Sequence, residues 1–315
     1  MNSVFPLFSS AMCIAILFSS CACAKLPVDS PLVKPSPNYP SDTVQFAVIG
    51  DFGTDSKAEG DVANMVKSWS PEFVITTGDN NYPVGSAGTI VNNIGKYYCD
   101  FIYNPDAPSD RVCKGAAADE KKNRFFPSPG NHDNYSVPAL RPYLDYFTLP
   151  NDERTYDFVW GTVHFFSLNT GISGKVDESV KNWLKEKLAT STATFKIVYF
   201  HHPPYSTGGH GSNEAMQLPY GDWGADAVLC GHDHIYERIT EKSGAKPVYI
   251  IIGNSGNEHT YSCTAKTIDT NRFNLFCEDT GFGALKVRAG KNTCVIEYFN
   301  AANPATPTDV FTITK

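Results

Sequence analysis

Val44-Gln45-Phe46-Ala47-Val48-Ile49-Gly50-Asp51-Phe52-Gly53 decides the architecture of this chain. A short, mostly apolar run stops at a glycine–aspartate turn. Near-continuous hydrophobicity over so few residues marks a strand covered on both faces. The same pattern recurs downstream. Phe73–Thr77 runs into Gly78-Asp79-Asn80-Asn81-Tyr82, Phe195–Phe200 into His201-His202-Pro203, and Ala225–Cys230 into Gly231-His232-Asp233-His234. Gly130-Asn131-His132-Asp133 likewise follows an apolar run, and Val248–Ile252 reads as one more buried strand.

Helical spacing separates these strands. Val62, Met65, Val66 and Trp69 fall at i, i+3, i+4 and i+7, and Val180, Trp183, Leu184 and Leu188 form a second apolar stripe. Asp177 and Glu178 open the second stripe, where negative charge suits a helix N-terminus. Tyr156–Asn169 reads as strand, turn at Gly161, strand. After Gly281 the pattern is all-β: Ala284–Val287, a turn at Ala289-Gly290, Cys294–Phe299 and Val310–Thr314. Together these predict βαβ units feeding a partly antiparallel second layer, an α/β sandwich. Segment 83–126 is loop-rich, with a helix near Val91–Phe101. It reads equally as a rim over a site or as a surface insertion.

The 315 residues are 42% hydrophobic, 13% aromatic and 19% charged, ordinary for a chain with a sizeable core. The motifs span residues 50–234 without a linker, which favours one domain over residues 44–315. A net charge of −7 and no basic run argue against nucleic acid as partner. A small-molecule or protein-borne phosphate ester fits better.

Residues 1–24 carry no charged side chain, Val4–Leu17 is mostly apolar, and Ala22-Cys23-Ala24 offers a cleavage site before Lys25. This predicts a secretory signal peptide and a secreted or extracytoplasmic protein. The alternatives are a lipid anchor at Cys21 and a retained membrane anchor, the latter broken by Ser9 and Ser10. No later segment is suited to span a membrane. Residues 25–43 read as a Pro/Ser-rich N-terminal arm. Of nine cysteines, Cys13, Cys21 and Cys23 lie in the leader. An even six remain, which in an exported chain predicts disulfides. Cys99 with Cys113 and Cys263 with Cys277 each bracket a polar loop. Cys230 is expected as a buried thiol or as the partner of Cys294.

Each polar motif alone is weak, since a Gly-Asp pair after a strand is usually only a turn. The conjunction is informative. The motifs align their polar groups along the carboxyl ends of adjacent strands, where open α/β sheets bind ligands. Two carboxylates, an amide, a phenol and three imidazoles there suit two metal ions of the kind that hydrolyse phosphate esters.

These five blocks resemble those of the calcineurin-like metallophosphoesterases and, through Tyr82 three residues after Asp79, the purple acid phosphatases of the small, tartrate-resistant type. The spacing of His201, Pro203, Ser206, His210 and Gly211 is similar to that of the small enzymes' metal and substrate histidines. The resemblance implies a four-layer α/β/β/α sandwich of two mixed sheets. It implies one metal held by Asp51, Asp79, Tyr82 and His234 and a second held by Asp79, Asn131, His201 and His232, with Asp79 bridging. A phenolate suits Fe(III) at the first; Asn131 and two imidazoles suit Fe(II), Zn or Mn at the second. The activity implied is that of an acid phosphatase, with a metal-bound hydroxide attacking a phosphate monoester.

His132 and His210 would neutralise phosphoryl oxygens, and one would protonate the leaving alkoxide. Asn131 would also face the substrate, with His202 a weaker contact. A diesterase acting on nucleotide or phospholipid-type esters is the second reading, and a non-catalytic phosphate- or metal-binding protein the third. His164 reads as structural and His259 as solvated. Tyr205 and Tyr220 could line the site or pack in the core. Asn134-Tyr135-Ser136 is a glycosylation sequon, but its place beside a metal motif argues against a glycan.

Overall fold

The structure is a computed structural model, in which Met1, residues 43–264 and residues 268–315 are described. The leader past Met1, with its cysteines, and the arm up to residue 42 lie outside the described residues. Two mixed sheets form the body. The first has six strands and the second seven.

In the first sheet, β1 (Val44–Ile49), β2 (Phe73–Thr76) and β3 (Phe125–Pro127) run parallel. β11 (Gly283–Ala289), β12 (Thr293–Asn300) and β13 (Asp309–Thr314) continue it antiparallel. In the second sheet, β5 (Val163–Ser167), β6 (Phe195–Tyr199), β7 (Ala227–Cys230) and β9 (Val248–Ile252) are parallel. β4 (Tyr156–Trp160), β8 (Tyr236–Glu241) and β10 (Arg272–Glu278) are antiparallel additions.

The inner faces meet through aromatic rings. Phe165 of β5 lies edge-on to Phe46 of β1 at 5.0 Å and to Phe73 of β2 at 5.4 Å, and Tyr236 of β8 stacks on Tyr298 of β12 at 3.9 Å. The helix Lys57–Ser68 buries Val62, Met65 and Val66 in the same core. The helix Glu178–Thr190 buries Leu184 and Leu188 against the outer face of the second sheet, beside Phe166, Val198 and Val228. Asp177 caps it, accepting from the Val180 N–H at 3.0 Å. Helix, sheet, sheet and helix thus form the expected four layers.

Strand β1 spans the residues its sequence suggests, whereas β2, β6 and β7 are one or two residues shorter than their apolar runs. Two strands went unread and β3 was read only as an apolar run without bounds, each for a reason. β3 is three residues ending in Pro127, which the free edge of the sheet tolerates. β8 interrupts its apolar pattern with Glu237 and Arg238. These are satisfied only by tertiary partners: Glu237 accepts from Thr207 and Asn274, and Arg238 pairs with Asp309. β10 is a half-exposed edge. The helix expected near Val91–Phe101 is a π-helical turn, Val91–Gly95, running into a short α-helical turn, Lys96–Tyr98.

Cys99–Cys113 and Cys263–Cys277 are bridged, while Cys230 and Cys294 are both buried free thiols rather than partners. No helix among the described residues is long and apolar enough to cross a membrane.

Candidate metal centre

Both sheets point their parallel strands' carboxyl ends at one place. β1 delivers Asp51, β2 delivers Asp79 and Tyr82, and β3 delivers Asn131. β6 delivers His201, and the turn after β7 delivers His232 and His234. Asp51, Asp79 and His232 adopt φ of 52°, 50° and 73°, the left-handed region that costs a non-glycine residue about 1–2 kcal/mol. Hydrogen bonds hold them there: the Asp51 N–H donates to the Gly78 carbonyl at 3.0 Å, and the His232 N–H to Asp51 Oδ2 at 2.9 Å. Gly130 lies so close to Asp79 that a Cβ would overlap its carboxylate, which explains the glycine before Asn131.

The donor atoms sort into two overlapping groups. Tyr82 Oη lies 3.3 Å from Asp51 Oδ1, 3.0 Å from Asp79 Oδ2 and 3.2 Å from His234 Nε2. His201 Nε2 lies 2.9 Å from Asn131 Oδ1, 3.2 Å from His232 Nδ1 and 3.3 Å from Asp79 Oδ2. Donors of Asp51, Asp79 and His201 all fall within 4.8 Å of one another, and all three side chains are buried.

The outer ring nitrogens fix which nitrogen faces inward. His201 Nδ1 donates to the Thr77 carbonyl at 2.9 Å, leaving the Nε2 lone pair for a ligand. His234 Nδ1 is held by the His259 carbonyl, with the same result.

Electrostatics match this geometry. Burial, only partly offset by His201, raises the Asp51 carboxyl. Burial acts the same way on Asp79, but His201 and His132 outweigh it and hold that carboxyl well below its ordinary value. Burial disfavours a charged His201, yet Asp79 and then Asp51 push it up to about 9. A proton on His201 thus holds the acids together, and a cation in the same place takes over that role. Tyr82 is pushed well above the usual phenol range by burial and then by Asp79 and Asp51. Only a strongly charged cation alongside reverses that. A buried crowd of carboxylates, phenol and imidazoles therefore fits two metal ions.

A family model described as calcineurin-like phosphoesterase matches residues 44–236, more than half of the chain. The chain belongs to the calcineurin-like phosphoesterase family. It is 26% identical over 263 residues to purple acid phosphatase 15 of Arabidopsis thaliana, covering 74% of this chain and 47% of that one, so it spans about half that relative's length. It is 24% identical over 312 residues to rat tartrate-resistant acid phosphatase type 5, covering 84% of this chain and 88% of the relative. A purple acid phosphatase from yellow lupin superposes with a TM-score of 0.65 at 16% identity, over 86% of this chain and 54% of that one.

The cleft, about 370 Å³, is lined by Asp79, Tyr82, Asn131, His132, His210, His232 and His234, and also by Tyr135, Asn257, His259 and Tyr261. The His132 N–H donates to Asp79 Oδ1 at 2.8 Å, and its Nδ1 lies 2.6 Å from the Pro83 carbonyl. His210 stacks on His232 at 4.1 Å.

His202 is buried behind His232, shares a 2.8 Å hydrogen bond with Thr170 and does not line the cleft. Burial and then the neighbouring His201 push it down to about 3, so it is neutral. Tyr205 packs on Tyr249, and Tyr220 on Phe200, both away from the cleft. His259 is exposed, yet lines the cleft and braces His234. His164 pairs with Asp157 and Ser191 beside a larger cavity of about 550 Å³, at the start of β5 and β6. That is the wrong end of the strands for this centre. No residue of segment 83–126 lines the cleft, although Pro83 at its start touches a cleft residue, His132, and this favours the surface-insertion reading.

Asn134 is buried, with its amide nitrogen donating to the Gly130 carbonyl at 2.7 Å, which leaves no room for a glycan.

Sequence reasoning missed Asn257 and Tyr261, which sit in a polar run after β9 without any periodic signal. Asp133 and Asp233 stand inside the motifs, but their role shows only in the structure. Asp133 accepts from Gly130 N and from both Asn80 nitrogens; Asp233 accepts from His210 N and Gly211 N.

Proposed function

We propose that this chain is an exported acid phosphatase hydrolysing phosphate monoesters at a dinuclear centre, with Fe(III) at the first site and Fe(II), Zn or Mn at the second. One observation carries the reading: the donors form two sets that share Asp79. Asp51, Tyr82 and His234 gather on one side of it, and His201, Asn131 and His232 on the other. Export is supported by the two disulfides.

A bound cation pair supplies charge neutralisation and a water nucleophile that ionises near pH ~7 rather than ~15.7. The chain's own groups do the rest. Asn131 and the flanking imidazoles of His132 and His210 orient the phosphoryl oxygens, and protonated imidazoles there oppose charge gathering in the transition state. His210 carries the proton for the leaving alkoxide. Two histidines facing the substrate match a dianionic monoester better than a monoanionic diester.

The test is spectroscopic and kinetic. Iron-loaded protein should be purple, and Tyr82→Phe should bleach it at unchanged iron content. The kcat/KM for p-nitrophenyl phosphate should exceed that for bis(p-nitrophenyl) phosphate by about tenfold or more, about 1.4 kcal/mol of discrimination. A colourless iron-loaded wild type, or a preference for the diester, would sink the proposal.

A further inference from the structure

His210 stands in a stretch, residues 204–213, that has neither strand nor helix. Its backbone is anchored: Asp233 Oδ1 accepts from His210 N at 2.7 Å, and Oδ2 accepts from Gly211 N at 3.2 Å. Nothing in that anchor fixes the imidazole. The ring is held instead from across the cleft, where Tyr261 Oη meets His210 Nε2 at 2.9 Å with the two rings edge-on at 4.8 Å. A Cβ at Gly209 would run into the Tyr261 ring, so the residue before His210 must be small for this contact to form.

Tyr261 belongs to a run, Asn257–Thr264, that touches the centre repeatedly. Asn257 N donates to the Asp51 carbonyl at 2.9 Å, and the His259 carbonyl accepts from His234. Thr264 ties the far end down through two hydrogen bonds to the Thr207 carbonyl, at 3.0 and 2.8 Å. Cys263, two residues past Tyr261, is bridged to Cys277 in β10, and its N–H donates to Asp279 Oδ2 at 2.9 Å. The run is therefore pinned on both sides of Tyr261.

We infer that Asn257–Thr264 is a strap locked by Cys263–Cys277, and that Tyr261 is the positioning residue that holds the His210 imidazole over the cleft. The hydroxyl occupies Nε2, so the ring cannot swing away from His232 without breaking that bond. Only the catalytic arm of this inference rests on the phosphatase reading.

The test begins with a readout that needs no turnover. As-isolated protein is treated with diethyl pyrocarbonate, and carbethoxylation is mapped by mass spectrometry, with His132 as internal reference. Tyr261→Phe removes only the hydroxyl and should speed modification of His210 about fivefold, the worth of one net hydrogen bond. Cys263→Ser/Cys277→Ser should speed it as well, since the strap is released with Tyr261 intact. An unchanged His210 rate in both variants overturns the proposal.

In iron-loaded enzyme, Tyr261→Phe should lower kcat for an alkyl phosphate about tenfold more than for p-nitrophenyl phosphate, with both KM values nearly unchanged. That split arises because only the poor leaving group needs the proton. Equal losses on both esters overturn the positioning role. A wild type that hydrolyses neither ester ends the phosphatase reading, and carbethoxylation then decides the strap alone.

Discussion

Glu59 illustrates what a single residue's surroundings impose. It lies fully buried in the first turn of the helix Lys57–Ser68, with Oε2 accepting from Thr54 N at 3.0 Å and Asp55 N at 2.8 Å. Burial dominates and pushes its carboxyl from 4.5 up to about 9. Between those values the folded state keeps a proton that the unfolded chain gives up. Its contribution to stability is therefore complete below about pH 4.5 and is lost as pH rises towards 9. Glu59→Gln, which stays neutral, should flatten this dependence. Urea unfolding at pH 5 and pH 8 should show the variant gaining about 4 kcal/mol on the wild type over that range. A difference that stays constant with pH would show that Glu59 ionises normally.

At the scale of elements, Asp133 joins the ends of β2 and β3. Its Oδ2 accepts from Gly130 N at 2.8 Å, Asn80 N at 3.1 Å and Asn80 Nδ2 at 2.9 Å, all among buried groups. Asp133→Ala leaves three donors without that partner and should cost about 3 kcal/mol or more, read as a fall in the urea midpoint. It should also impair metal retention, because the turn it closes carries Asn131. Normal stability with normal metal content would refute this.

Elements were legible in the sequence where burial is uniform or periodic. Examples are β1 and β9, apolar on both faces, and the helix stripes at Val62–Trp69 and Val180–Leu188. β8 was hidden because Glu237 and Arg238 look like loop residues until Thr207, Asn274 and Asp309 satisfy them.

At the scale of the whole molecule, the centre exists only because two sheets pack with their strand ends together. Metal should therefore stabilise the entire domain. Binding to the folded state alone contributes about 2.7 kcal/mol at a free concentration one hundred times Kd. Dialysis against a chelator should lower Tm and abolish hydrolysis, and added iron should restore both. A Tm that does not respond to chelation would mean that the cluster holds no cation.

The sequence by itself determined the donor types and their place at strand ends. Strand direction and turn chemistry are local, so the Gly-Asp, Gly-Asn-His-Asp and Gly-His-Asp-His turns announce themselves. It did not determine which ring nitrogen faces inward, or that His202 is turned away while Tyr261 is brought in. Those depend on contacts such as His201 to Thr77, 124 residues apart, and His232 to Asp51, 181 apart. Only packing one sheet on the other creates such contacts. A buried imidazole takes its tautomer from whichever carbonyl that packing sets beside it.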